Sequence, residues 1–291
     1  MRSKVVRPLL VAAGVFAMVA GAILPAAALD FTYQQSTGFL LGSQTSTAAD
    51  GTSGIEFNGA TVAQPIANAY MDIGWGARFP GGANPAGSGV VATSPFDGPN
   101  EGDRSAMRLV GLTGTITVGG PAVQISSIYH KNTTIIDTAP RLTSVTIRSL
   151  LELTDSIPPF SDPDDIPIAF TETDNVALGD CAPPNPAGTA CDDRFAIVGA
   201  GDITESLFFT HNGDNFRIDF TIVRPDFNTI DGEPNQAFLG ADGFFYSGEG
   251  GIGELQVWMS IVQLVPAPSS LLLLGLGLVG SAIAARRRIG A

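Results

Sequence analysis

Apolar and polar residues alternate in several short runs of this chain, and a period of two predicts strands. In "RLTSVTIRSLLEL" (Arg141 to Leu153), Val145, Ile147, Leu151 and Leu153 fall on one face and Thr146 and Arg148 on the other. "GELQVWMSIVQL" (Gly253 to Leu264) places Leu255, Val257, Met259 and Ile261 together in the same way. The run "SLFFTHNGDNFRIDFTIV" adds a turn. Asn212-Gly213 is a favoured pair for a two-residue type I′ hairpin turn, whose central residues both need positive φ. With that pair at the tip, His211 lies opposite Asp214, Phe209 opposite Phe216 and Leu207 opposite Ile218. All six share one face, which Phe220 and Ile222 continue. The register that the turn demands is therefore the one that stacks the apolar side chains.

Glycine- and proline-rich stretches separate the strand runs: "RFPGGANPAGSG", "TSPFDGPNEGD", "SIPPFSDPDDIP", "PDFNTIDGEP" and "GADGFFYSGEGGIG" read as turns. No amphipathic helix of any length and no fixed-period repeat lies between the two ends of the chain. Many short strands joined by such turns predict an all-β domain over residues 29–264, an antiparallel β-sandwich of jelly-roll or lectin-like form.

The ends differ from the middle. "MRSKVVRPLLVAAGVFAMVAGAILPAAALD" has a basic start in Arg2, Lys4 and Arg7, an apolar stretch from Leu9 to Leu24 and a small-residue site at Ala26-Ala27-Ala28. This pattern predicts a secretory signal helix over residues 1–28, cleaved between Ala28 and Leu29. The other end, "VPAPSSLLLLGLGLVGSAIAARRRIGA", holds an apolar segment from Ser269 to Ala285 followed by Arg286, Arg287 and Arg288. A helix of that length rises about 26 Å, slightly short of a hydrocarbon core of about 30 Å, and predicts a single transmembrane span in the inner membrane. The arginines would hold its end in the cytoplasm. The prolines would stop the helix at the outer face and leave an extended, accessible segment.

Charge and cysteines sharpen the picture. The net charge of the whole chain is −13. The end segments hold six bases and no acid, so residues 29–264 carry 9 bases against 28 acids, a net of −19. Such a surface repels phosphate backbones, and nucleic acid is not an expected partner. Export makes the two cysteines readable. An oxidising compartment and an even count favour a local disulfide between Cys181 and Cys191, while two thiols with no further ligand nearby make a poor metal site.

Recognisable catalytic motifs are missing. There is no nucleophile elbow, no H-E-x-x-H, no phosphate loop and no dinucleotide fingerprint. Only two histidines are present, His130 and His211, so a histidine-driven triad has little to draw on. No residue is assigned a catalytic role, and no cofactor is expected beyond calcium. For that ion the candidate ligands are Asp162, Asp164 and Asp165 in "SDPDDIP", with Asp226, Asn228 and Asp231 in "DFNTIDG" as a second group. Neither group matches an EF-hand, and both also read as residues that cap turns.

The tail resembles the PEP-CTERM sorting signal of exported proteins in Gram-negative bacteria that make exopolysaccharide. Pro266-Ala267-Pro268 stands at the Pro-Glu-Pro-like motif, with Ala267 in the acidic position. Ser269 to Ala285 stands at the helix and Arg286 to Arg288 at the basic cluster. The resemblance implies processing by an exosortase. The middle resembles the THxN family of PEP-CTERM proteins, close to the choice-of-anchor K domains. "IGWG" (Ile73 to Gly76, with Trp75) is similar to the family's early WG motif. His130 and Asn132 in "SSIYHKNTTI" occupy the Thr-His-x-Asn motif, with Tyr129 in the threonine position. "FTETDN", with Glu172 and Asn175, and "C…CDD", ending in Asp192 and Asp193, follow. This resemblance implies family markers and no activity. His130 and Asn132 are expected to bond a turn.

These readings together predict an exported, non-enzymatic structural or interaction protein of the cell surface or exopolysaccharide matrix. A calcium-assisted, lectin-like carbohydrate-binding module is the alternative. A secreted hydrolase is the third reading and would need two carboxylates about 5 to 9.5 Å apart in a cleft.

Overall fold

The alternating runs form strands because each buries one face. Along Leu142–Leu153, Val145, Ile147, Leu151 and Leu153 are buried and the residues between them are partly exposed. In the computed structural model of the chain, the described residues are 28–51, 54–76, 89–92, 94–97, 104–133, 135, 139–173, 192–197, 205–240 and 244–264. Among them the strands are β1 (Asp30–Leu40), β2 (Thr45–Ser46), β3 (Glu56–Ala60), β4 (Ala69–Trp75), β5 (Gly89–Val90), β6 (Ser105–Gly111), β7 (Thr113–Thr117), β8 (Val123–Asn132), β9 (Leu142–Leu153), β10 (Phe160–Thr171), β11 (Asp193–Ile197), β12 (Leu207–His211), β13 (Asp214–Val223), β14 (Ala237–Leu239), β15 (Phe245–Ser247) and β16 (Gly251–Leu264).

One sheet holds them in the order β12-β13-β16-β8-β6-β4-β1-β9-β10-β11-β15-β14. The ladders on this path are antiparallel. A short parallel pairing joins β3 to β5 at its side. The sheet curls until strands distant in this order face each other. Phe31 of β1 meets Phe209 of β12 at 5.3 Å and Phe216 of β13 at 5.6 Å between ring centres. Trp75 of β4 meets Phe170 of β10 at 4.8 Å. The β14–β15 end docks back on β16, where Gln236 N–H donates to the Ile252 carbonyl at 3.2 Å. Gly253 permits that approach, since a Cβ there would lie 3.0 Å from the Ala237 nitrogen. The expected all-β, antiparallel architecture is what forms. Residues 1–27 and 265–291, which carry the expected signal and membrane helices, lie outside the described residues. Among the described residues no helix is long and apolar enough to cross a membrane.

The predicted hairpin forms in the predicted register: Leu207 pairs Ile218, Phe209 pairs Phe216 and His211 pairs Asp214. Asn212 and Gly213 turn it with φ of 52° and 91°. Two turn readings fail. "GADGFFYSGEGGIG" holds β15 (Phe245–Ser247) and the start of β16. "SDPDDIP" is part of β10, not a turn, and pairs β9 along its length (Asp162 with Leu151, Asp164 with Ser149, Asp165 with Arg148). Its prolines do not break the strand because β11 joins β10 only from Ile168 onward. Pro163 and Pro167 therefore sit where β10 has one neighbour, the place where a missing N–H is tolerated.

Two apolar clusters fill the curl. Phe31, Phe209, Phe216, Met259 and Ile261 belong to one, at the hairpin end. Trp75, Met107, Phe170, Phe195 and Leu255 belong to the other. The candidate site lies beside the second.

Candidate functional site

Strand β8 alternates as it leaves the core. Ile128, His130 and Asn132 share the inner face, while Tyr129 and Lys131 point the other way, Tyr129 to Thr229 Oγ1 and Lys131 to the Phe96 carbonyl. The turn after β15 returns to this place. Asn132 Nδ2 donates to the Ser247 carbonyl at 2.9 Å, and Gly250 N–H donates to the Asn132 carbonyl at 3.0 Å. Asp193 of β11 pairs Ser247 of β15. The β10–β11 ladder pairs Thr171 with Arg194, and one further step along it sets Glu172 beside Asp193.

These ladders gather His130, Asn132, Glu172, Asp193 and Ser247 into one buried group under the Trp75 ring. Trp75 and His130 stack at 5.7 Å with planes 15° apart. Trp75 Nε1–H donates to Glu172 Oε2 at 2.6 Å, and the Ser105 hydroxyl donates to Glu172 Oε1 at 3.3 Å. Asp193 Oδ1 accepts from the Thr173 N–H at 2.9 Å and its hydroxyl at 3.1 Å. Glu249, half-buried in the β15–β16 turn, brings a third carboxylate, and oxygens of Glu172, Asp193 and Glu249 all lie within 4.8 Å of one another.

Polar atoms here lack partners. The imidazole nitrogens of His130, Asn132 Oδ1, Thr133 Oγ1, Asp193 Oδ2 and Ser247 Oγ are buried without a hydrogen bond. His130 Nε2 approaches Asp193 Oδ2 only to 3.9 Å, beyond hydrogen-bond range. Burial governs the protonation of the group. It pushes the His130 imidazole down to about 3, so the ring is neutral. Burial raises Glu172 to about 7, against the hydrogen bonds that favour its charged form. Burial and the neighbouring Glu172 charge raise Asp193 well above the usual carboxylate range. Against the Arg141 charge, which favours ionised Glu172, burial thus leaves the pair holding protons near neutrality.

Of the residues singled out in the sequence, Trp75, His130, Asn132 and Glu172 come together. The side chains were expected to bond a turn; that of Asn132 instead donates to Ser247, the last residue of β15, and that of His130 lies on a strand and donates to nothing. Asp193 entered only as the end of the C…CDD segment, and Ser105, Ser247 and Glu249 carried no sequence signal. Ser105 stands in a strand, while Ser247 and Glu249 both lie in the glycine-rich stretch that reads as a turn. Asn175, Cys181, Cys191, Pro266, Ala267, Pro268 and Arg286 to Arg288 lie outside the described residues.

The acidic runs part company. Asp165 points outward to Arg148, with bonds of 2.6 Å to both of its oxygens. Asp162 and Asp164 face inward, onto a cavity of about 100 Å³ lined by Leu109, Ile128, Ile147, Leu151 and Phe220 among others. The three aspartates thus do not converge on one point. Asn228 Oδ1 accepts the N–H groups of Ile230 and Asp231, both at 3.1 Å, which is the capping role of a turn residue. His211 accepts the Ile157 N–H on Nδ1 at 3.1 Å and so ties the hairpin tip to the β9–β10 turn. Ala28 is exposed, whereas Leu29 packs on the hairpin-end cluster and its carbonyl accepts the Val118 N–H at 2.8 Å.

Residues 264–288 match the PEP-CTERM protein-sorting motif. No curated protein matches the chain. The matched segment begins at Leu264, the last residue of β16.

Proposed function

We propose that this chain is exported, processed at its tail by an exosortase-type enzyme, and then acts at the cell surface or in the exopolysaccharide matrix as a non-catalytic structural or interaction module. The observation that carries the reading is the sorting motif at residues 264–288. The fold accommodates it. Every described strand ends at or before Leu264, so cleavage near Pro266 to Pro268 leaves the sheet whole. At the other end, Leu29 is the residue that enters the core, and removal of residues 1–28 leaves β1 intact. The net charge of −19 over residues 29–264 keeps such a module soluble outside the membrane. In this reading Cys181 and Cys191 are joined in the exported form.

Intact-mass analysis of the protein recovered outside the cell tests the reading. The expected species begins at Leu29, lacks Leu271 to Ala285 and carries no free thiol. A mass that retains the apolar tail leaves a plain membrane anchor and overturns the processing step. Sedimentation with isolated exopolysaccharide tests the matrix role, which fails if all of the processed chain stays in the supernatant.

A further inference from the structure

The partnerless polar atoms of the core are not scattered. All those found among the described residues belong to His130, Asn132, Thr133, Asp193 and Ser247, where β8, β11 and β15 meet. Buried polar groups are ordinarily satisfied, and orphans concentrated at one point indicate a missing partner. Three features define its chemistry. Oxygens of three carboxylates converge within 4.8 Å, which calls for positive charge. His130 offers a buried neutral nitrogen 3.9 Å from Asp193 Oδ2. That gap is too long for a hydrogen bond and suits two ligands of one ion, which lie about 3–5 Å apart at bond lengths of about 2.0–2.6 Å. Of the basic side chains, Arg141 favours ionised Glu172 by its charge, Lys131 bonds the Phe96 carbonyl and Arg194 lies over the Phe244 ring.

We propose that Glu172, Asp193, Glu249 and His130 form a binding site for a divalent transition-metal ion, Mn²⁺ or Zn²⁺. Three carboxylates select a hard to borderline divalent ion, and the imidazole favours the transition metals over calcium and magnesium. Trp75 and Ser105 hold Glu172 from behind through their hydrogen bonds, and Thr173 does the same for Asp193. Glu249 supplies the half-buried side, through which the ion enters. The site is independent of the sorting segment and of the matrix role.

The full chain, purified in detergent and stripped with a chelator, is titrated with Mn²⁺, Zn²⁺ and Ca²⁺ separately by calorimetry. Electron paramagnetic resonance then examines the Mn²⁺ form. One Mn²⁺ or Zn²⁺ should bind per chain, with a rise in melting temperature and a nitrogen coupling to bound Mn²⁺. Glu249→Gln, at a half-buried turn position, should weaken binding by at least about tenfold. His130→Gln should remove the nitrogen coupling. Asp165→Asn, on the outer face, should bind as the parent does. Failure of both Mn²⁺ and Zn²⁺ to bind stoichiometrically overturns the proposal, as does affinity unchanged in Glu249→Gln. Binding of Ca²⁺ alone, or a nitrogen coupling that survives in His130→Gln, overturns the assignment of the imidazole.

Discussion

The two histidines of this chain sit in opposite surroundings. His211, at the hairpin end, is half-buried and satisfied: Nδ1 accepts the Ile157 N–H and Nε2 lies 2.8 Å from Asn212 Nδ2. Beneath it Phe31, Phe209 and Phe216 form an apolar cluster. His130 is buried, has no hydrogen bond on either nitrogen and faces carboxylates. The hairpin end obeys every local rule at once, in turn type, register, apolar face and polar tip. The His130 end breaks the rule that buried polar groups are paired, and it does so with several side chains in one place. Agreement between levels is the mark of a region that only has to fold, and concentrated violation marks a region that does something else.

The sharpest test of that contrast removes packing where packing is the whole story. Phe216 is 1% exposed and stacks on Phe209 at 5.1 Å. Phe216→Ala should destabilise the domain by about 3–5 kcal/mol, the usual range for a large core aromatic. Chemical denaturation measures this. A loss below about 1 kcal/mol would mean that the hairpin end is not the stabilising half of the fold.

The His130 end should reveal itself by titration instead. In chelator-treated protein Glu172 has a raised folded value, about 7 against an ordinary 4.5. Between those limits the folded state holds a proton that the unfolded state has released, so its contribution is full below about pH 4.5 and disappears as pH rises through 7. Asp193 acts in the same direction. His130 acts oppositely: lowered to about 3, its contribution grows as pH rises from 3 toward 6.5. The two trends offset each other at mildly acid pH, and above 6.5 the carboxylates act alone. Arg141, whose charge favours ionised Glu172, moderates the effect. Stability should therefore fall by about 1 kcal/mol from pH 6.5 to 8 through Glu172, with Asp193 adding to the decline, and Glu172→Gln should flatten it. Stability that instead rises over this range would show that the carboxylates are already ionised in the fold.

The sequence announces the two regions unequally. The hairpin was readable to the residue because its information is local: a two-residue turn and alternation on either side of it. β9 and β16 were readable for the same reason. β10 was not, since Pro163 and Pro167 look like breakers until the one-sided pairing that tolerates them is known. The buried carboxylates were legible only in part. Glu172 follows the end of β10 and Asp193 opens β11, well apart in sequence, and no periodicity marks an acid that turns into a core. Glu254 is a further case, wholly buried and held by Ser127, Thr229 and Gln256 on the face of β16 that alternation assigns to solvent. A site assembled from four separated strand ends leaves no spacing to read.

The turn supplies a middle-sized test. Gly213 has φ of 91° with open space around its Cα, so a side chain there meets strain but no clash. Gly213→Val should cost about 1–3 kcal/mol, because β-branched residues resist positive φ. His211→Gln should cost less than this, about 1 kcal/mol, for the bond to the Ile157 N–H. If the histidine change proves the more damaging in denaturant titrations, the tip does more than fold.

The smallest effect is expected where the sequence change is most drastic. Replacing His130 with leucine removes both orphan nitrogens from a buried site. An unpaired polar atom in the core costs free energy, and an apolar group of similar size recovers it. Leucine loses the stacking on Trp75 and the edge contact with Phe170, contacts worth about 0.5–1.5 kcal/mol each. The gain and the losses are of similar size, so His130→Leu in chelator-treated protein should lie within about 1 kcal/mol of the parent. The same substitution should abolish the extra stability that Mn²⁺ or Zn²⁺ confers. A residue whose removal leaves the empty fold unharmed but cancels the effect of the ion is retained for the ion. If His130→Leu unfolds the chelated protein by more than about 2 kcal/mol, the imidazole is a structural partner of Asp193, and the two ends of the sheet differ less than their hydrogen bonds indicate.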